Sequence, residues 1–373
     1  MIIKSIWLSH FRNFEQSQID FSPNLNIFLG ENGQGKTNIL EAIYLLIEGQ
    51  SFRYSTTDTL IQINQPAAVI KCHIQNENLD YDLRLELAHL KKELTVNSKK
   101  VSQHKLSLPP AILFSPESLS IIKESSEGRR ELIDQLVVQL VRNGRQLIQA
   151  FKKTLKTRNR LLKDISKEKM ERQLGIDTLA SLNPLFLKQA AELTVLRLNA
   201  LSEIRNNVEV SLSGIFKGVS VNFDYKYMIS GIDHKKSDLL EVIAVLRNRM
   251  QELESAEIQS GVSLVGPQKH DVIFLFNGND SRFYSSQGQQ RSIILAFKMA
   301  QIVYHQRVHG YYPVLLLDDV LSELDLSKQE SLISTLNQTQ TQTFVSTTDV
   351  SLISKLSMSN SRVFNIKNGQ ISV

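Results

Sequence analysis

The stretch Gly30-Glu-Asn-Gly-Gln-Gly-Lys-Thr-Asn38 decides the fold class of this chain. It fits the pattern G-x-x-x-x-G-K-[ST], which is typical of loops that bind nucleotide phosphates. The apolar run Leu25–Leu29 before it predicts a buried strand, and Asn38–Leu46 after it has apolar residues at helical spacing. The loop is therefore expected to join a strand to a helix, as in α/β nucleotide-binding proteins.

Each residue type in this loop suits phosphate binding. Glycines let backbone N–H groups approach phosphate oxygens, and the helix N-terminus adds partial positive charge. Lys36 is predicted to reach the β- and γ-phosphates of ATP, and the Thr37 hydroxyl to bind Mg²⁺. The predicted nucleotide-binding residues are Gly30, Glu31, Asn32, Gly33, Gln34, Gly35, Lys36, Thr37 and Asn38.

The bulk composition excludes several protein classes. The 373 residues are 42% hydrophobic and 22% charged, with a net charge of +5, which is typical of a globular protein of two or three units. A single cysteine, Cys72, excludes an intramolecular disulfide framework. The N-terminus lacks a signal peptide's apolar core, and no apolar run approaches the roughly 18–20 residues that span a bilayer. A cytoplasmic protein with no membrane partner is expected.

A second motif is the apolar run Val314-Leu-Leu-Leu-Asp318 followed by Asp319. A buried strand that ends in an acid is typical of the Walker B motif, which carries a carboxylate to the magnesium ion. Asp318 is predicted to bind Mg²⁺ together with Thr37, and Asp319 to orient or deprotonate the attacking water. Lys36, Asp318 and Asp319 are thus the predicted catalytic residues, and the short Asp319 side chain predicts slow turnover.

Because both motifs must contact one nucleotide, the two ends of the chain are expected to fold together. Residues 117–258 read mainly as helices between them, with a turn predicted at Asn183-Pro184 before a helix that starts at Pro184. The predicted fold class is α/β, with a mixed sheet flanked by helices and an inserted, mainly helical lobe. The predicted boundaries are 1–116 and 259–373 for the nucleotide-binding lobe and 117–258 for the insert.

Two further polar segments have more than one interpretation. The loop Ser286, Gln287, Gly288, Gln289, Gln290 and Arg291 precedes an apolar helix and resembles the signature motif of ABC-type ATPases. That motif contacts the γ-phosphate held by a partner subunit; the alternative is a plain polar helix cap. Ser322, Glu323, Leu324 and Asp325 have the spacing of the D-loop of such ATPases, and a helix cap explains them too.

The helical segment also contains a strong basic bias. Its candidate DNA-binding residues are Arg145, Lys152, Lys153, Lys156, Arg158, Arg160 and Lys163. Such a stripe suits phosphate neutralisation, which carries no sequence information. The alternative is a solvated basic helix face or a helix that packs against the other lobe.

Together these motifs resemble the RecF family of bacterial DNA repair ATPases. The resemblance also covers Phe11–Phe14, Ser51–Arg53 and Gln342–Asp349, and it runs over the whole chain. It implies an ABC-type P-loop ATPase head, an ATP-dependent homodimer with the signature loop acting in trans, and weak DNA-stimulated hydrolysis. It further implies duplex or gapped DNA as the ligand, RecR and RecO as protein partners, and a role in loading a recombinase.

Two segments depart from the family pattern. The family usually has Gly-Pro-His-Arg-Asp-Asp where this chain has Gly266-Pro-Gln-Lys-His-Asp271, and Thr347-Thr348 stand where many ABC ATPases carry a histidine. Lysine does not replace the planar, bidentate arginine. The alternatives are an SMC/Rad50-like protein, which should show sustained heptads, an OLD-type nuclease-fused ATPase, and a non-hydrolysing ATP-gated DNA-binding module.

Overall fold

The computed structural model describes residues 2–53, 55–76, 79–101, 108–123, 125–141, 143–230, 232–235, 238–339, 341–351, 356 and 360–372. The strands are β1 (Ile2–Phe11), β2 (Phe14–Asp20), β3 (Leu25–Leu29), β4 (Ala67–Asn76), β5 (Leu79–Ala88), β6 (Lys91–Val96), β7 (Lys99–Lys100), β8 (Ala111–Phe114), β9 (Phe223–Ile229), β10 (Ile232–Asp233), β11 (Asp271–Phe276), β12 (Asn279–Asp280), β13 (Val314–Asp318), β14 (Thr343–Thr347), β15 (Ser361–Lys367) and β16 (Gln370–Ser372). The helices are α1 (Lys36–Glu48), α2 (Thr57–Leu60), α3 (Pro116–Ser120), α4 (Ser126–Leu140), α5 (Gly144–Ser166), α6 (Arg172–Ile215), α7 (Leu239–Ser260), α8 (Ser281–Tyr284), α9 (Gln287–His309) and α10 (Leu326–Gln338).

The chain divides into two compact units. The first combines Met1–Leu119 with Ile302–Val373, and the second is Ser120–Gln301. The first predicted boundary, 116/117, lies close to this division, but the second, 258/259, is corrected. Residues 259–301 belong to the second unit, because β11 pairs along its length with β9.

A six-stranded mixed sheet of the first unit holds the predicted nucleotide motifs. Its strand order is β16-β15-β3-β14-β13-β8, and every neighbouring pair is parallel except β15 with β16. The carboxyl ends of β3 and β13 therefore lie at the same edge, with β14 between them. The predicted mixed sheet made from both ends of the chain is confirmed.

The rest of the first unit forms one apolar core around α1. A second, antiparallel sheet has the order β2-β1-β4-β5-β6-β7. Ile6 of this sheet, Ile43 of α1 and Phe344 of the mixed sheet belong to one buried apolar cluster. Burial of α1 on nearly all sides fixes the position of its N-terminus, where the phosphate loop ends.

The second unit is mainly helical, as predicted. α6 packs against α4, α5 and α7, and a small sheet of order β10-β9-β11-β12 completes the unit. The predicted turn at Asn183-Pro184 is wrong, because α6 continues through Pro184 as a single helix of 44 residues. Packing against three helices offsets the cost of an interior proline. In the described part of the chain, no helix is long and apolar enough to cross a membrane.

Candidate nucleotide-binding site

The phosphate loop adopts the strand-to-helix geometry that the sequence predicts. It follows β3, and α1 begins at Lys36 after Gly35, which has a left-handed φ of 118°. The N-cap residue, Gly35, provides no side-chain cap for α1, and an anion can take that place at the helix N-terminus. A Cβ on Gly30 would lie 2.4 Å from the Ile366 carbonyl oxygen, which explains the need for glycine there. The loop fits a bound anion.

Lys36 is held at the loop by backbone carbonyls. Its side chain is only 4% exposed, and Nζ donates to the carbonyl oxygens of Gly30 at 2.8 Å and Glu31 at 2.9 Å. These bonds satisfy the ammonium group within the loop. A phosphate oxygen can take the place of a carbonyl, so the lysine is positioned to bind a polyphosphate without a large movement.

Thr37 and Asp318, which are 281 positions apart in the chain, meet at the edge of the mixed sheet. The Thr37 hydroxyl donates to Asp318 Oδ1 at 2.8 Å, and the Ser346 hydroxyl donates to the same oxygen at 2.7 Å. Burial raises the pKa of Asp318 above its ordinary value, and the two hydroxyls partly oppose that shift. The sequence predicted the pair, and the strand register explains it, because Asp318 lies opposite Ser346 on β14.

Ser346 was not predicted as a site residue. Besides donating to Asp318, its hydroxyl oxygen accepts from the Asp319 backbone N–H at 2.9 Å. Asp319 has a left-handed φ of 48°, which turns the chain sharply after β13. One serine side chain therefore bonds to the Asp318 carboxylate and to the backbone of Asp319. The only sequence signal was its place at the end of a predicted core strand.

The donor set fits Mg²⁺. A carboxylate and a hydroxyl beside a phosphate loop match this ion, which is commonly held by one or two carboxylates and substrate phosphates. Among the described residues, no group of three or more His, Cys, Asp or Glu side chains could hold a metal ion by itself. The ion would thus depend on Thr37, Asp318 and the nucleotide together.

Two turns distant in sequence brace the phosphate loop at Gln34. Asn13 Nδ2 donates to the Gln34 carbonyl oxygen at 2.9 Å, and Asn38 Nδ2 donates to Asn13 Oδ1 at 2.8 Å. From the β15–β16 turn, the Asn368 N–H donates to Gln34 Oε1 at 2.6 Å, and the Gly369 N–H donates to the Gln34 carbonyl at 3.2 Å. The sequence marked Phe11–Phe14 but assigned it no such role.

A buried ion pair fixes the same β1–β2 turn to α1. Arg12 binds Glu41 in a bidentate manner, with Nε to Oε2 at 2.8 Å and Nη2 to Oε1 at 2.7 Å. Glu41 is fully buried, and Arg12 also donates to the Thr59 carbonyl at 2.8 Å. The turn that carries Asn13 is therefore rigidly attached to the helix that carries Thr37.

In the second unit, the predicted signature loop forms a capping box at the N-terminus of α9. The Gln289 N–H donates to Ser286 Oγ at 3.2 Å, and the Ser286 N–H donates to Gln289 Oε1 at 2.8 Å. Gln290 is buried, and its Nε2 donates to the Ser281 carbonyl at 2.8 Å. The helix-cap interpretation thus holds locally, while contact with a partner's phosphate stays a prediction.

The predicted D-loop combines a helix cap with exposed polar groups. The Asp325 side chain caps α10 by accepting from the Lys328 N–H at 3.0 Å, and Ser322 Oγ donates to the Asp319 carbonyl at 2.6 Å. Leu324 is buried, whereas Ser322, Glu323 and Asp325 are exposed. These three residues are accessible, and their contact with a second subunit stays a prediction.

The basic residues of the second unit lie on α5 with different degrees of exposure. Lys152, Lys153, Lys156, Arg160 and Lys163 are exposed, and Arg145 is half-buried. Arg158 is 1% exposed and donates to Glu257 Oε2 at 2.6 Å and to Ser263 Oγ at 2.7 Å. The prediction that Arg158 contacts DNA is corrected, because its guanidinium is buried in an ion pair.

The segment that departs from the family pattern lies in a charged cluster. Asp271 accepts two bonds from Arg129, with Nε at 3.0 Å and Nη2 at 2.9 Å, and a third from Arg282 Nη1 at 3.1 Å. His270 is buried against Tyr227, and burial holds the pKa of its imidazole well below the ordinary value. Lys269 is exposed. The retained aspartate therefore has arginine partners from elsewhere in the unit.

Comparison with known proteins gives a consistent result over the whole chain. A family model described as the RecF/RecN/SMC N terminal domain matches residues 2–372. The "DNA replication and repair protein RecF" of Bacillus velezensis is 34% identical over 376 residues, and that of Bacillus subtilis is 33% identical over 375; both matches cover 100% of each chain.

Solved structures agree. A structure of the recombination mediator protein RecF with ATP, from the RecFOR pathway, has a TM-score of 0.86 and 29% identity over 100% of this chain and 97% of that one. A Smc head domain from Pyrococcus furiosus has a TM-score of 0.56 at 15% identity, with 100% and 95% of the two chains covered, and shares the fold alone.

Proposed function

This chain belongs to the RecF family of ABC/SMC-type ATPases of DNA replication and repair, and we propose that it binds DNA under the control of ATP. ATP would bind at Gly30–Asn38, with Mg²⁺ held by Thr37, Asp318 and the nucleotide's phosphates. The hydrogen bond between Thr37 and Asp318, 2.8 Å long across 281 positions, carries the proposal. Support for ATP as the nucleotide comes from the similar RecF structure with ATP.

Hydrolysis of ATP would be slow and would act as a switch. Lys36 binds the β- and γ-phosphates, Asp318 holds the ion, and Asp319 orients the attacking water. Phosphoryl transfer depends mainly on position and electrostatics, so hydrogen bonds that fix both acids matter directly. Asp319 follows a sharp turn and has a short side chain, which limits its reach toward the water.

The nucleotide would also join two copies of the chain. Ser286–Arg291 of one copy would cover the γ-phosphate bound by the other, and the exposed polar groups of Ser322–Asp325 would line the same interface. The N-terminus of α1 in one copy and the polar cap of α9 in the other copy would then enclose the triphosphate. The signature loop is anchored by the buried Gln290, which supports a fixed rather than a disordered contact.

Dimer closure would clamp duplex or gapped DNA, and hydrolysis would release it. The cations of α5, which are exposed, would supply a sequence-independent contact with DNA phosphates. The family resemblance adds RecR and RecO as partners and the loading of a recombinase as the outcome.

Sedimentation with ATP and gapped duplex, each alone and together, tests the proposal. We expect a dimer with ATP and a faster-sedimenting complex with both ligands. Lys36→Ala should abolish ATP binding, and Ser286→Arg should keep ATP binding but prevent the dimer. Unchanged affinity of Lys36→Ala for ATP would refute the phosphate-loop assignment, and a normal dimer of Ser286→Arg would refute the trans contact.

A second candidate is an ATP-gated DNA-binding module that scarcely hydrolyses ATP. The short Asp319 side chain favours it over a fast enzyme. Single-turnover hydrolysis, measured with and without DNA, separates the two. Turnover that is lost in Asp319→Asn supports the ATPase, and turnover that equals the uncatalysed rate in the unaltered protein supports the module.

A further inference from the structure

Two aromatic side chains directly before the signature loop are exposed. Phe283 is 75% exposed and Tyr284 is 76% exposed, both on the single-turn helix α8. Large aromatic rings seldom remain in water side by side unless a ligand or partner covers them. We call these two residues the aromatic pair.

Charged side chains hold the aromatic pair in place. Arg282 donates to Asp280 through Nε at 3.0 Å and Nη2 at 2.7 Å, and to Asp271 through Nη1 at 3.1 Å. The Arg282 guanidinium also lies 5.2 Å from the centre of the Phe283 ring. α8 is therefore anchored to β11 and β12, and the aromatic pair is preorganised.

The aromatic pair is also fixed relative to the signature loop. Gln290 of α9 donates through Nε2 to the carbonyl oxygens of Ser281 at 2.8 Å and Ser285 at 3.3 Å. Tyr284 and Phe283 precede Ser286 by two and three residues, so their Cα atoms lie at most about 7 and 11 Å from that of Ser286. Whatever the signature loop covers, the aromatic pair lies beside it.

The first unit offers little for an adenine base to stack on. Among the phenylalanine, tyrosine and tryptophan residues that the structure describes in this unit, only Tyr311 has more than a third of its surface exposed. Its ring already packs edge-on against His305, with 5.1 Å between ring centres. The phosphate loop would thus bind the triphosphate, while the described phenylalanine, tyrosine and tryptophan rings of this unit offer the base little exposed surface.

We propose that the aromatic pair stacks on the adenine base of the ATP that is held by a second copy of the chain. This rests on the proposed trans contact of the signature loop with the terminal phosphate. One anchored element then contacts both ends of the same nucleotide, phosphate through Ser286 and base through Tyr284. The Tyr284 ring supplies the stacking surface, and the neighbouring Phe283 lies against the Arg282 guanidinium that anchors α8. The pair makes the closed dimer selective for a purine triphosphate.

The test measures dimer formation and base stacking separately. Dimerisation is followed by sedimentation velocity with ATP, and stacking by the fluorescence of an aminopurine analogue of ATP, which stacking quenches. The variants are Tyr284→Ala, Tyr284→Leu and Tyr284→Phe, with Tyr311→Ala as the matched control for an exposed tyrosine outside the loop. Nucleotide binding by the monomer, measured at protein concentrations below dimerisation, reports on the phosphate loop alone.

We expect quenching in the unaltered dimer and in Tyr284→Phe and Tyr311→Ala. Tyr284→Ala and Tyr284→Leu should both lose the quenching and dimerise about 5- to 150-fold more weakly, the range that one base–aromatic stack represents. Monomer affinity for nucleotide should not change in any variant.

Several results would overturn the proposal. If Tyr284→Leu dimerises normally, the contact is a general apolar one with the partner's protein surface, and if it also quenches normally, Tyr284 is not the stacking surface. If dimerisation is normal in every variant but DNA affinity falls, the pair contacts DNA. A dimer of the unaltered protein without quenching refutes this inference alone, whereas no ATP-dependent dimer at all refutes the proposed function as well.

Discussion

Replacing Arg158 by methionine should destabilise the second unit far more than the same change at Arg160, two residues along α5. Arg158 is 1% exposed and donates to Glu257, Ser263 and Asn183, the last at 3.1 Å. In the described structure, the buried Glu257 carboxylate would then keep two hydrogen-bond donors, both backbone N–H groups that donate to Oε1. They belong to Leu264 at 2.7 Å and Val265 at 3.3 Å.

The loss of one partner from a buried ion pair costs about 3–5 kcal/mol. At about 2–4 °C per kcal/mol for a unit of this size, the melting temperature should fall by roughly 6–20 °C. Arg160 is 85% exposed and lies 3.8 Å from Asp164, so Arg160→Met should change stability by less than about 0.5 kcal/mol.

Denaturant unfolding, followed by circular dichroism, gives both free energies. The double variant Arg158→Met, Glu257→Leu should recover most of the loss, because it removes the unpaired buried charge. Salt titrations of DNA binding provide the functional contrast, since Arg160→Met should flatten the salt dependence and Arg158→Met should not. Equal and small losses of stability in the two single variants would show that the Arg158–Glu257 ion pair does not stabilise the second unit.

Three other changes test the first unit. Ser346→Ala removes a hydroxyl that bonds to the Asp318 carboxylate and to the Asp319 backbone N–H. Single-turnover ATP hydrolysis should therefore slow by about 10- to 150-fold, the range for a hydrogen bond to a charged group; an unchanged rate would show that Ser346 does not position these residues. Burial raises the pKa of Asp318, so the nucleotide-free fold is more stable when this acid is protonated. The free energy of unfolding should therefore fall as the pH rises through the raised pKa. In melting curves without Mg²⁺, Asp318→Asn should therefore have a higher melting temperature than the unaltered protein at neutral pH. The difference in melting temperature should shrink toward acid pH, and a difference that does not change with pH would contradict this. Glu41→Gln should cost about 3 kcal/mol in urea unfolding because the buried Arg12 pair loses its charge, whereas the exposed Glu31→Gln should be neutral, and equal effects would contradict the role of the pair.

Local chemistry made the centre of the site predictable. Glycine spacing, Lys36 and an apolar run that ends in Asp318 are patterns within short stretches, and parallel strands bring their ends to one edge. The roles of Ser346, Asn13 and the β15–β16 turn escaped prediction because they arise from contacts between distant segments. A serine that ends one strand gives no sign that it will lie opposite an acid on the next.

Two errors came from counting residue types without their environment. Arg158 counted as one more cation in a basic segment, but helical periodicity places it on the buried side of α5, where Glu257 neutralises it. Pro184 was interpreted as a helix start, but it is an exposed residue within α6, and the buried Leu179 and Phe186 on either side of it hold the helix in place. The second domain boundary was wrong for a different reason. Strand β11 follows α7 in the chain, but it pairs with β9 of the second unit rather than with a strand of the nucleotide-binding sheet.

The bracing of Gln34 by Asn368 and Gly369 has a consequence for synthesis. The Asn368 contact spans 334 positions, so a chain growing on the ribosome has the phosphate loop long before the residues that support it. Such a chain also lacks Asp318 and Ser346 while the whole second unit is being made. The complete nucleotide site is therefore expected to form only after the last strands of the chain have been made.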